Sequence, residues 1–209
     1  NPVTGRINHD QLEPHGSSFQ AIEQADFLYC DDPWFRPVDI KLAPDGSLYV
    51  ADFYNRIIGH YEVSLQHPGR DRERGRIWRI VYEGRENERV VAPRRMADLT
   101  QASLGDLTEN LRDPNLIVRT LATQQFVERL EEKDEQSEEV RSLVNLLAKS
   151  DSAEQKAGAM WVLERRHLLN DETIAKLSQD RARLVRVHVQ KLLAEWGGLL
   201  KSPLIDIPR

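Results

Sequence analysis

The chain has 209 residues, 30% of them Asp, Glu, Lys or Arg, and a net charge of −5. Both signs are interspersed, so there is no electrostatic footprint for nucleic acid, and no apolar run approaches the ~20 residues that cross a bilayer. The single cysteine, Cys30, excludes an internal disulfide and a CxxCH haem attachment.

Residues 1–31 are the least periodic. Gly5 to His9 suits a strand, Leu12-Glu13-Pro14-His15-Gly16 reads as a turn, and Ser18–Ala21 and Phe27–Cys30 suit short extended pieces. One Glu beside one His supplies too few ligands for a metal. Asp31 to Pro37 is a loop with Trp34 and Phe35 between two prolines. Trp34 is expected to pack, whereas Arg36 and the neighbouring Asp39 are candidates to face a ligand.

The strongest pattern follows. Val38-Asp39-Ile40-Lys41-Leu42 alternates apolar and polar residues, the period of a strand with one buried face. Pro44-Asp45-Gly46 predicts a tight reversal: proline presets φ, Asp45 can bond its own backbone, and Gly46 accepts a positive φ. Ser47–Asp52 returns, Ile57–Val63 suits a third strand, and Arg76–Tyr82 a fourth with Trp78, Ile80 and Tyr82 on one face. Four short antiparallel strands around such a turn resemble one blade of a β-propeller.

After Tyr82 the charged run Glu83–Arg89 reads as a linker, which places a domain boundary between residues 92 and 93. Beyond it the period is helical. Ser103 caps a helix carrying Leu104, Leu107 and Leu111. Asp113-Pro114 is expected to open a second, with Val118, Leu121, Ala122, Phe126 and Leu130. Ser137 caps a third, with Val140, Leu143, Val144 and Leu147. Asp151 or Ser152 starts a fourth, with Ala157, Met160, Trp161 and Leu168. Asp171 opens a fifth, with Ile174 and Leu177. Arg181–Trp196 forms the sixth, stopped by Gly197-Gly198, with an extended tail over 202–208.

Superposing Asp113, Asp151 and Asp180 brings Ala122, Met160 and Val189 into register, and Val118-Arg119 onto Val185-Arg186. Three helix pairs with irregular spacing, under or near the ~40 residues of HEAT units, predict a short, degenerate α-solenoid of HEAT-like repeats over 93–209. Its middle copy carries Lys156-Ala157 where the others have Val-Arg.

No dinucleotide, phosphate-loop, zinc-protease or serine-hydrolase motif is present. A polar constellation, Asp52, Tyr54, Asn55, Arg56 and His60, follows the second predicted strand, and of these Asp52, Asn55, Arg56 and His60 join Arg36 and Asp39 as ligand-binding candidates. Arg and His can hold anionic or carbonyl oxygens, and His can accept a proton near neutral pH. Asp52 and Asn55 equally suit turn-forming roles, and His60 suits a structural one. His67–Arg76 alternates in sign and reads as a self-paired loop. Its alternative is a substrate clamp with Arg70 or Arg72 as donors; Asp71 and Glu73 are too few for Ca²⁺.

The order RPVDI, PDGSLYVADFYNRIIGHYE, HPGRDRERGRIWRI resembles the planctomycete-type membrane-bound dehydrogenases, closely over Arg6–Tyr82 and only in kind beyond. That resemblance implies a propeller similar to glucose/sorbosone dehydrogenases, HEAT-like repeats, and a c-type haem domain that is absent here. It implies oxidation of a sugar or alcohol through a pyrroloquinoline quinone-type cofactor, with Ca²⁺ and haem c in the parent and none held by this piece. It also implies a periplasmic or exported protein. The expected architecture is therefore 1–92 as the terminal blade or blades of a propeller, completed by the remaining blades of the parent chain, and 93–209 as a helical array. On this reading the chain is a fragment, inactive alone. The alternative is a non-enzymatic propeller and HEAT scaffold binding a protein, with the partner on the helical repeats, or a polysaccharide.

Overall fold

A computed structural model describes residues 1–16, 18–59, 61–85, 95–130 and 137–196. The fold is mixed, with small antiparallel sheets in one unit, Asn1–Arg95, and, among the described residues, six α-helices in the other, Met96–Arg209. No closed barrel or propeller is formed by the described residues.

In the first unit, β1 (Arg6–Ile7) pairs with β4 (Leu28–Tyr29), and β2 (Asp10–His15) with β3 (Ser18–Glu23). The turn expected at Leu12–Gly16 is instead mostly strand. Pro14 sits opposite Phe19 in a two-stranded ladder, where a missing N–H is tolerated, and the reversal starts at Gly16, with φ 57°. Gly5 (φ 64°) is required by crowding as well as by conformation: a Cβ there would lie 3.0 Å from the Cys30 carbonyl oxygen.

The larger sheet has the order β5 (Pro37–Leu42), β6 (Leu48–Asp52), β7 (Arg76–Ile80). The Pro-Asp-Gly reversal forms as the chemistry dictates. Gly46 has φ 86°, and Asp45 Oδ1 accepts from the Ser47 N–H at 2.9 Å and hydroxyl at 2.6 Å. The Ser47 hydroxyl and N–H, then Arg79, hold the Asp45 carboxyl down at about 2. In register across the three strands stand Ile40, Val50 and Trp78, and beside them Leu42, Leu48 and Ile80. They share one face. Val50 is buried, yet Ile40, Leu42 and Trp78 are each about 40% exposed.

Ile57–Val63 is not a strand over its described residues, and β6 runs to β7 through a long irregular connection. The reason lies in Arg70. Its guanidinium donates to the carbonyls of Ile57 (3.1 Å), Gly59, Val63 (2.8 Å) and, through Nε, Ser64 (3.0 Å). Carbonyls gathered on one cation are drawn into a curl and are lost to a ladder. Arg70→Lys, with three donors and no planar fork, is expected to loosen the 57–66 segment selectively. Hydrogen exchange should accelerate there by about tenfold or more, while β5 to β7 stay protected.

In the second unit α1 (Leu104–Asn110) begins with a reciprocal cap between Ser103 and Asp106. The N-cap of α2 (Leu116–Arg129) is Asn115 rather than Asp113, whose carboxylate accepts from the Asn115 N–H at 2.8 Å instead. Ser137 caps α3 (Glu138–Lys149), Ser152 caps α4 (Ala153–Arg165), and Asn170, one residue earlier than predicted, caps α5 (Asp171–Ser178). The last helix, α6, spans Arg183–Trp196; the Gly197-Gly198 stop and the 202–208 tail lie outside the described residues.

The apolar stripes meet in one core. Ala122, Met160 and Val189, which the sequence superposition brought into register, are all fully buried. Val144 is half exposed. Helices α1 and α2, α3 and α4, and α5 and α6 pack as pairs, and α4 packs on both α2 and α6. Lys156–Asp180, Trp161–His188 and Arg165–Glu195 contacts advance together along the chain, so α4 and α6 run in the same direction. Arg119 donates to the carbonyls of Asp113 and Pro114, and Arg186 to those of Asp180 and Arg181. The two superposed arginines make equivalent backbone contacts ahead of α2 and α6.

The Trp161 indole N–H donates to His188 Nδ1 at 2.9 Å. Burial, and then nearby Lys191, lower the His188 pKa from its ordinary 6.5. The unfolded chain thus takes the proton more readily. Stability is full above about 6.5 and declines as pH falls from there through the lower folded value. Urea midpoints of the helical unit between about pH 8 and pH 5 should show this step, and His188→Gln should remove it.

Candidate functional site

Asp52 ends β6 and is buried, and its carboxylate is fully used. Oδ1 accepts from the Arg36 and Tyr54 N–H groups, both at 2.8 Å, and Oδ2 accepts from the Trp78 indole at 3.0 Å. One side chain therefore ties the start of β5, the end of β6 and the middle of β7. Asn55 is also buried. Its amide donates to the Asp71 carbonyl at 2.7 Å, and its oxygen accepts from the Ile57 N–H at 3.2 Å.

Arg36, half-buried, points at backbone: Nε to the Asn55 carbonyl (3.1 Å), Nη1 to Val3 (3.3 Å), and Nη2 to Arg56 (3.3 Å). Arg36, Asp52 and Asn55 form one network whose donors and acceptors are directed inward. Asp39 lies apart, exposed, with Lys41 at 3.1 Å and its carboxyl lowered chiefly by that partner. Arg56 is exposed and joins the network only through its carbonyl. His60 lies outside the described residues.

A cleft of about 460 Å³ opens beside this network, walled by Trp34 on one side and by residues 66–74 on the other. Trp34 is half-buried and backed by the Tyr54 ring, 5.7 Å away and tilted by 31°. Tyr54 has φ 44°, an uncommon left-handed conformation for a non-glycine residue. It is held there by Asp52 on its N–H, by Asp32 on its hydroxyl at 3.2 Å, and by the Arg76 guanidinium 3.3 Å from its ring centre.

The opposite wall is braced by Arg70 as above, and by Arg72, which donates to Gln66 Oε1 at 2.9 Å and to the Leu65 carbonyl. Asp71 Oδ1 accepts from the Glu73 and Arg74 N–H groups, and the Arg74 side chain lies 3.1 Å from Oδ2. The Glu73 N–H is the main cause holding the Asp71 carboxyl below its ordinary value. The clamp donors proposed from sequence, Arg70 and Arg72, are thus committed to the loop's own backbone.

Sequence reading did not find the Trp34–Tyr54–Arg76 stack. The alternation of aromatic and arginine in Tyr54, Arg76 and Trp78 was available, but the left-handed turn that brings Tyr54 to Trp34 was not. Among the described residues no group of three His, Cys, Asp or Glu side chains is disposed to hold a metal, and no helix is long and apolar enough to cross a membrane.

A family model described as a domain of unknown function, DUF7133, matches residues 1–84. No curated protein and no solved structure matches the chain.

Proposed function

We propose that the β unit is a segment of a propeller in a sugar- or alcohol-oxidising dehydrogenase, and that its own part is chiefly architectural. The observation that carries this reading is the aligned, half-exposed apolar face of Ile40, Leu42 and Trp78. Sheets bury such faces against another layer, and a neighbouring blade is a layer of matching shape. The dehydrogenase assignment is supported by the sequence resemblance over Arg6–Tyr82. The helical unit, with paired helices and repeated arginine braces, is read as a HEAT-like array that offers a surface to a protein partner. The quinone-type cofactor, Ca²⁺, haem c and an exported location belong to this proposal.

A non-enzymatic scaffold is the second reading. It is favoured by the inward commitment of Arg36, Asp52 and Asn55, which leaves few side chains free for catalysis. The test is made on the longer parent protein: haem absorbance, and dye reduction with a panel of sugars and added quinone cofactor. Turnover with a haem spectrum supports the enzyme, and absence of both supports the scaffold. Of the candidates described, Arg56 is the one whose guanidinium is not spent on the fold. Arg56→Ala is therefore expected to lower turnover with a melting temperature close to the parent's. A parallel fall in both would make Arg56 structural.

A further inference from the structure

We propose that Trp161 and His188 form a proton-operated latch: neutral His188 holds the indole at the side of a groove in the helical unit, and protonated His188 releases it. For its purpose the latch rests on reading that unit as a surface for a protein partner, whereas its chemistry is argued from the side chains themselves. The groove, of about 410 Å³, is lined by Leu116 and Thr120 of α2, Gly158 and Trp161 of α4, and Leu184 and His188 of α6. Leu116 and Leu184 are exposed, and the Thr120 hydroxyl is spent on the Leu116 carbonyl of its own helix. Trp161, half-buried, is the largest side chain of this apolar lining, so its setting governs the groove's shape.

The tie is a hydrogen bond to the one imidazole atom that an incoming proton must claim. Nδ1 accepts the Trp161 N–H at 2.9 Å, so the ring proton of neutral His188 stands on Nε2. The two rings meet edge to face, 6.2 Å apart and at 83°. A second proton can go only to Nδ1. Two N–H groups then confront each other where a bond stood, and an imidazolium lies against the positive edge of the indole. Both effects drive the indole away from α6.

The charges around His188 come from three helices. Lys191 is on its own helix, Arg119 of α2 and Glu154 of α4 line the same groove, and Arg165 of α4 lies over the Trp161 ring at 5.3 Å. Glu195 of α6 is paired with Arg165 at 3.4 Å. On α5, which gives buried Ile174 and Leu177 to the core, the Glu172–Lys176 pair is exposed. Cations therefore outnumber carboxylates beside the imidazole. Burial first, and then Lys191, hold its pKa below the ordinary 6.5. The latch is accordingly shut at neutral pH and opens on acidification.

The test is an NMR titration of the full 209-residue chain from about pH 8 to about pH 4.5. The Trp161 indole resonance is assigned by its loss in Trp161→Phe, and the His188 ring resonances by theirs in His188→Asn. Both should move through one shared midpoint below 6.5, with amide dispersion retained. The indole–imidazole cross-relaxation should vanish over the same range. His188→Asn places a non-titrating acceptor near the Nδ1 position and should keep the indole resonance still. Trp161→Phe removes the donor that favours neutral imidazole, so the His188 midpoint should rise by about half to one pH unit. A merely structural contact would not couple the two titrations in this reciprocal way.

An indole that does not share the His188 midpoint, or keeps its cross-relaxation below it, would overturn the proposal. So would an unchanged or lowered midpoint in Trp161→Phe, or a step that coincides with loss of amide dispersion, which is unfolding and not a latch. Should either variant fail to fold, the titration of the unsubstituted chain decides alone. Failure of the latch leaves the partner reading untouched, because no partner is present in the titration. A parent whose helical unit binds no protein would remove that reading and leave the latch standing.

Discussion

Asp52→Ala is expected to destabilise the β unit by about 3–6 kcal/mol, enough to unfold it in a large share of molecules. The variant leaves the Arg36 and Tyr54 N–H groups and the Trp78 indole without the acceptor they share. Each stranded donor in a buried setting costs about 1–3 kcal/mol. Asp52 is 3% exposed, so water cannot replace the carboxylate without opening the sheet. Domain stabilities are about 5–15 kcal/mol, which makes the loss large in proportion. Asp52→Asn keeps one acceptor and aims an NH₂ at a donor, so it should fall between the parent and alanine. Urea unfolding followed by near-ultraviolet circular dichroism measures the series. A cost under about 1 kcal/mol for alanine would mean that the network is incidental to the sheet.

The second large effect is in the helical unit. Lys156 and Asp180 meet at 2.6 Å, with side chains only 13% and 11% exposed. Burial pushes the Asp180 carboxyl up, but the Lys156 ammonium and the Ala182 N–H overcome it and hold the group below its ordinary value. Lys156→Met strands the carboxylate and should cost about 3–5 kcal/mol at neutral pH. Adding Asp180→Asn should recover much of that loss, because the uncompensated charge goes with it. The sign with pH follows from the lowered carboxyl. In the parent the pair stabilises above the ordinary carboxylate range and its contribution fades as pH falls through the folded value. The gap between Lys156→Met and parent should therefore shrink on acidification. Double-mutant urea titrations at pH 7 and about pH 4 test this, and simple additivity of the two substitutions would refute the coupling.

The helical half was largely legible because its signals are local. Ser103, Ser137 and Ser152 can each bond an N–H two or three residues on, and the apolar spacing states which side turns inward. The reversal at Pro44–Gly46 was legible for the same reason.

What escaped was non-local. Ile57, Ile58, Tyr61 and Val63 have the composition of a strand, yet a guanidinium 7–13 positions downstream takes the carbonyls of that segment. Pro14 looked like a turn because strand partners cannot be seen from one strand alone. Arg36 and Asn55 looked available to a ligand because sequence does not reveal which way a polar group points. Each is consumed by backbone more than fifteen residues away.

In the helical unit, α2 and α6 flank α4 and the same arginine brace recurs at Arg119 and Arg186. On the proposed HEAT-like reading, such a construction can lengthen by tandem duplication: a copied pair arrives with its own strut and a surface already suited to the previous pair. The same proposed reading implies graded elasticity under tension, with an outer pair able to peel away while the inner ones hold.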